Sequence, residues 1–174
     1  MHMWDMELTG IAAADSAAPP DRRPFRATAS GGSVVFRAFG FVDASGFTTV
    51  LETDADQALA ALRGMRAVVR ATTQLHRVRI AKWLGDGAML VAVEPSTLLR
   101  CLDEIWHEAP HHCSLPLHGG MASGKVLILE GDDYVGRAVN VAARLCAAAG
   151  PGVLLLASDA GESPSDPQLV QRRL

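Results

Sequence analysis

An apolar run from Ser33 to Val42, SVVFRAFGFV, ends on Asp43 and passes straight into Ala-Ser-Gly-Phe-Thr-Thr. Its β-branched and aromatic density is that of a buried strand, and the segment after it reads as the start of a helix. Carboxylates are costly at the end of a buried strand unless something there uses the charge. Asp43 leaves its strand where the backbone amides of Ser45, Gly46, Phe47 and Thr48 open a helix, so a carboxylate and a set of N–H donors face one place. That pairing suits a metal-bound phosphate. The plainer reading is that Asp43 only caps the helix.

The rest of the chain alternates the same two patterns. Residues 46–75 carry Leu, Ala, Met and Val at three-and-four spacing, with Asp54 as a cap between two helical pieces. RVRIAKWLGDGAMLVAVEP reads as strand, turn and strand, and STLLRCLDEIWHEA as a helix capped by Ser96. LPLHGGMASGKVLIL is a glycine-interrupted strand, GRAVNVAARLCAAAG a helix stopped by Gly150-Pro151, and GVLLLA a last strand. The expected order is β-α-α-β-β-α-β-α-β. Residues 1–32 have no sustained period and read as a flexible lead-in.

Composition narrows the function classes. A chain of 174 residues that is 49% hydrophobic can bury the core of one mixed α and β domain. Sixteen basic and 19 acidic residues, a net charge of -3 without blocks, argue against a nucleic-acid surface. A phosphate-bearing partner would need a local site. Cys101, Cys113 and Cys146 lack metal-ligand spacing and read as reduced core thiols, which points to a cytoplasmic protein. No apolar run approaches the ~20 residues of a membrane span.

A second carboxylate, Asp86, lies in the tight LGDGAM turn between two apolar strands. As a hairpin, the Asp-Gly pair needs only turn chemistry. If the Asp43 strand is a sheet neighbour, both carboxylates meet at one edge. Two hard oxygen ligands can hold one or two Mg²⁺ or Mn²⁺ ions, with phosphate oxygens and water completing the shell.

The blocks FVDASGFTTVLE, KWLGDGAMLVAV and DDYVGRAVNVAARLCAAAGPGVLLLAS, in this order, resemble the catalytic domain of class III nucleotidyl cyclases, the adenylyl and guanylyl cyclase family. The similarity runs over residues 33–158, leaving 159–174 as a polar C-terminal tail. It implies an α+β, ferredoxin-like cyclase fold: a central, mostly antiparallel sheet with helices packed on it. It also implies a head-to-tail homodimer with active sites between the subunits. Carried over, the family's metal-binding aspartates fall on Asp43 and Asp86, with two Mg²⁺ or Mn²⁺ ions per site. The adenine-selecting pair falls on Lys82 and Asp133, and the transition-state pair on Asn140 and Arg144. Lys82 can donate to adenine N1 and Asp133 accept from the exocyclic amine, whereas guanine presents the reversed pattern. The activity implied is conversion of ATP to 3′,5′-cyclic AMP and pyrophosphate.

Taken singly, Lys82 reads as a solvated strand residue, Asp133 as a turn former, and Asn140 with Arg144 as a polar helix stripe. Together, inside the apolar AVNVAARLCAAA, the last two need a reason. The histidines read as core or surface residues. Trp83 reads as packing, with a place in the wall of the base pocket as the alternative. The family's sequence continues after the last strand through another helix and a terminal strand pair that supplies a triphosphate-binding Lys or Arg. Here the elements that follow look shortened. A catalytically weak or inactive module that binds ATP or a partner cyclase domain is therefore the alternative function.

Overall fold

The computed structural model describes residues 33–129 and 133–157, together with the backbone of 169–173. The elements are β1 (Ser33–Ala44), α1 (Phe47–Thr53), α2 (Ala55–His76), β2 (Arg79–Leu84), β3 (Gly87–Ala92), α3 (Pro95–His112), β4 (Leu117–Leu129), β5 (Asp133–Val135), α4 (Arg137–Ala148), β6 (Val153–Ala157) and β7 (Leu169–Arg173). They build one sheet in the order β2-β3-β1-β4-β6-β7, with β5 paired to β4 beside β6. All strand pairs are antiparallel except β4 with β6, whose connection carries α4. The expected α+β architecture with a mostly antiparallel sheet is the one the chain forms.

Strand alternation divides the core in two. Ala38, Val42, Ala44 and Leu90 face α2 and α3, against Met65, Val69, Leu98, Leu102 and Ile105. Phe39, Met89, Val91, Ala122 and Val126 face the opposite way, with Ala138 and Ala142 of α4 in the same cluster. That helix lies unusually close to β4. A Cβ on Gly120 would stand 2.3 Å from the backbone nitrogen of Cys146 and 2.4 Å from the carbonyl oxygen of Ala142. The glycine interruption of the β4 sequence is therefore the seat of a helix.

Local chemistry explains most boundaries. Asp54 caps α2, its carboxylate accepting from the Gln57 N–H at 2.9 Å, as expected. Ser96 is not the cap of α3: the helix begins at Pro95, whose missing N–H costs nothing in the first turn, with Glu94 before it. Two strands were not foreseen. β5 is three residues long and too short to show a period. β7 pairs along all of β6, so Leu169–Arg173, expected within the polar C-terminal tail, form an edge strand. Residues 1–32 and 158–168 lie outside the described residues.

All three cysteines are free and buried, and burial pushes the Cys101 and Cys146 thiols up to about 12. Among the described residues, no helix is long and apolar enough to cross a membrane.

Candidate active site

β1 and β3 pair so that Asp43 lies across from Gly87, which places Asp43 next to the Gly85-Asp86 turn joining β2 to β3. The fit leaves room for glycine only, since a Cβ on Gly87 would stand 2.6 Å from Asp43 Oδ1. Burial, and then the charge of Asp86, push the Asp43 carboxyl above its usual range. His118 and a hydrogen bond from the Ala44 N–H oppose that rise. Two carboxylates that repel each other in a half-buried edge form a site short of positive charge. Their oxygens suit a hard divalent cation such as Mg²⁺ or Mn²⁺. Among the described residues no third His, Cys, Asp or Glu completes a group of three, so the rest of a coordination shell would come from the substrate, water or the backbone.

Asp43 does not cap α1. Its N-cap is Gly46, at φ 75°, with no side-chain cap at all. The expected row of amides also needs correction at its first member. The Ser45 N–H already donates to the Pro116 carbonyl at 2.8 Å, which leaves the amides of the first turn of α1, at Phe47 and Thr48, as the ones without an intrahelical acceptor. Ser45 contributes through its hydroxyl instead, which lies 2.9 Å from His118 Nδ1. His118 is the register partner of Asp43 across β1 and β4, and its Nε2 stands 3.6 Å from Asp43 Oδ2. Sequence reading had set this histidine aside, because only strand register reveals the neighbour.

Lys82 and Asp133 meet although 51 residues separate them. Lys82 Nζ donates to Asp133 Oδ1 at 2.7 Å, with the two side chains 53% and 52% exposed. Asp133 opens β5, which is held to the sheet by Tyr134 packing edge-on against Phe39 at 5.3 Å between ring centres. An exposed pair of this kind adds ~1 kcal/mol or less to stability. Its donor and acceptor remain within reach of a ligand. Trp83 stands apart from that pair: it belongs to the opposite core, with the guanidinium carbons of Arg66 and Arg70 lying 5.0 and 5.2 Å from its ring centre.

Asn140 and Arg144 lie one turn apart on α4, both exposed, on the side away from its buried Ala138, Ala142, Leu145 and Cys146. Among the described residues neither side chain has a hydrogen-bond or ion-pair partner, and nothing links them to Asp43 or Asp86 within the chain.

No protein-family profile matches the chain. An uncharacterized Mycobacterium tuberculosis protein is 37% identical over 121 residues, covering 68% of this chain and 32% of that protein. A pH-sensitive adenylate cyclase of Mycobacterium tuberculosis is 32% identical over 127 residues, covering 72% of this chain and 32% of that protein. The chain thus spans about a third of the length of these relatives. Among solved structures, the monomeric guanylyl cyclase domain of the RhoGC fusion protein from the aquatic fungus Blastocladiella emersonii superposes with a TM-score of 0.65 at 19% identity. It covers 72% of this chain and 83% of that one. A bacterial light-regulated adenylyl cyclase superposes at 0.61 and 22% identity, covering 71% and 76%.

Proposed function

Starting from a chain that has the catalytic-domain fold of class III nucleotidyl cyclases, we propose that it is an adenylate cyclase, converting ATP to 3′,5′-cyclic AMP and pyrophosphate at sites shared by two copies of the chain. The observation that carries the choice of base is the Lys82–Asp133 contact, which presents a donor and an acceptor side by side in solvent. Lys82 donates to adenine N1 and Asp133 accepts from the exocyclic amine, whereas guanine would set a donor against the ammonium and an acceptor against the carboxylate.

The ribose 3′-hydroxyl attacks the α-phosphorus, the bond to the bridging oxygen breaks, and pyrophosphate leaves in line. Asp43 and Asp86 would hold Mg²⁺ or Mn²⁺, two ions per site, whose charge would acidify the attacking hydroxyl and offset that of the triphosphate. Asp43, whose carboxyl is raised by burial and then by Asp86 and lowered by His118, is the carboxylate whose charge a divalent cation would relieve. Gly46, Phe47 and Thr48 turn the chain beside it, where their backbone meets phosphate oxygens. Asn140 orients the ribose and Arg144 balances charge developing on the α-phosphate. Because these two face away from their own chain's neighbours, a second, head-to-tail copy brings them to the metal edge. The nucleophile already belongs to the substrate, so positioning supplies much of the rate.

The test is cyclic nucleotide production from Mn²⁺-ATP and Mn²⁺-GTP by the purified chain. Cyclic AMP should dominate, and the double substitution Lys82→Glu with Asp133→Cys should lower the ATP to GTP preference by at least about ten-fold. An unchanged preference in the folded double variant would mean that the base is read elsewhere.

A further inference from the structure

Asp86 sits between Gly85 and Gly87, and Gly85 is in the left-handed region at φ 67°. Gly87 is held in register with both Asp43 and Leu84, so the backbone freedom of this turn lies at Gly85. The Gly85 end of the turn is fixed from outside the hairpin. What holds it reaches across from α2. Arg66 Nη2 donates to the Gly85 carbonyl at 2.8 Å, and the same guanidinium lies over the Trp83 ring, 5.0 Å from its centre. Arg70, one helical turn on, lies over the same ring at 5.2 Å.

The cost of this contact argues that it has a purpose. Arg66 Nε is buried with no hydrogen-bond partner among the described residues, a penalty that an ordinary surface arginine avoids by staying in water. A planar guanidinium can stack on an indole and donate from its edge at once, which an ammonium cannot. Trp83 also neighbours Lys82 in β2, with its side chain on the opposite face of the sheet. One stack thus braces the strand that carries the base-reading lysine and the turn that carries the metal-binding aspartate.

We propose that Arg66 is a positioning residue for Asp86: its guanidinium, seated on Trp83, clamps the Gly85 carbonyl and holds the metal-binding turn in one conformation. This rests on the reading of Asp86 as a metal ligand given above. Arg66 touches neither substrate nor metal and acts through the turn.

The experiment uses the full chain, wild type against Arg66→Met and Arg66→Lys. Mn²⁺ affinity is read from the free-ion electron paramagnetic resonance signal, and the exchange of the Gly85, Asp86 and Gly87 amides is followed by NMR. Outer contacts to metal ligands are commonly worth ten- to a hundred-fold in affinity. Arg66→Met should weaken Mn²⁺ binding about ten-fold and speed turn exchange, while Arg66→Lys, which keeps a donor but loses the planar stack, recovers part of the affinity. In turnover assays the half-saturating Mn²⁺ concentration should rise while kcat at saturating Mn²⁺ stays within about three-fold of wild type, a split that general destabilisation would not produce. Wild-type affinity and wild-type turn exchange in Arg66→Met overturn the clamp. Should that variant not fold, unchanged affinity in Arg66→Lys overturns it equally. If the wild type itself binds no Mn²⁺, the metal reading of Asp86 fails first, and the clamp as a metal-positioning device falls with it.

Discussion

Asp43 has its surroundings supplied by its own chain: Gly87 across one strand pair, His118 across the other, and Asp86 in the adjoining turn. Asn140 and Arg144 are surrounded by nothing of the kind. They stand on the outer face of α4, whose inner face is pinned to β4 at Gly120, and among the described residues their side chains meet no partner. The carboxylate edge is thus assembled by strand register. The α4 face is a rigid platform that offers its groups outward. An exposed polar pair on a helix this rich in alanine adds little to folding.

The strongest way to break this contrast is at the metal edge. Asp86→Ala should lower Mn²⁺-dependent turnover by on the order of 10³-fold or more, with the fold retained, because a turn residue at a sheet edge buries little apolar area. Activity near wild type would remove Asp86 from the metal site. Collapse of the fold, seen by circular dichroism, would return it to turn chemistry. On the α4 face, Arg144→Ala should cost on the order of 10²- to 10³-fold in kcat with melting temperature unchanged, since the side chain is exposed and has no partner among the described residues.

Mixing the two kinds of damage sharpens the comparison. Asp43→Ala and Arg144→Ala proteins should each be almost inactive, yet random subunit exchange makes half the dimers mixed. Each mixed dimer then has one intact site of two, so activity should return to about a quarter of wild type. If the mixture stays inactive at concentrations where light scattering shows dimers exchanging, both residues work within one chain.

The smallest effect concerns protons. The folded Asp43 carboxyl is raised above its ordinary 3.8, chiefly by burial and then by Asp86. A raised carboxylate contributes stability below its unfolded value and loses it as pH climbs through the folded value. Without metal, the melting temperature of wild type relative to Asp43→Asn should therefore fall by ~1–3 °C as pH rises from about 4 through that raised value. Mn²⁺ should restore it in wild type alone. A flat difference across the range would mean that Asp43 is not strained in the free protein.

Much of this was readable in one dimension. Helix and strand periodicity located nine of the eleven elements, Asp54 announced its cap, and the motif blocks singled out Asp43, Lys82, Asp86, Asp133, Asn140 and Arg144. What escaped has a common cause. β5 has three residues and β7 lies beyond a proline-containing stretch, so each is made a strand by its neighbour rather than by its own pattern. Ser96 lies inside α3 because Pro95 opens the helix and Glu94 takes the cap position, a boundary decided by backbone fit.

The residues around the site divide along the same line. Local order along the chain, which sequence carries, determined that a carboxylate ends β1, that another sits in a glycine turn, and that two polar groups share a helix face. Contacts between residues far apart in sequence belong to tertiary structure. Only there does His118 come opposite Asp43, 75 residues away by number, Lys82 close on Asp133, and Trp83 turn to the opposite face to receive Arg66. Each of these depends on strand register or on which face a side chain takes. A slip of one residue would reverse every face, and it is the burial of the two cores on either side of the sheet that forbids the slip.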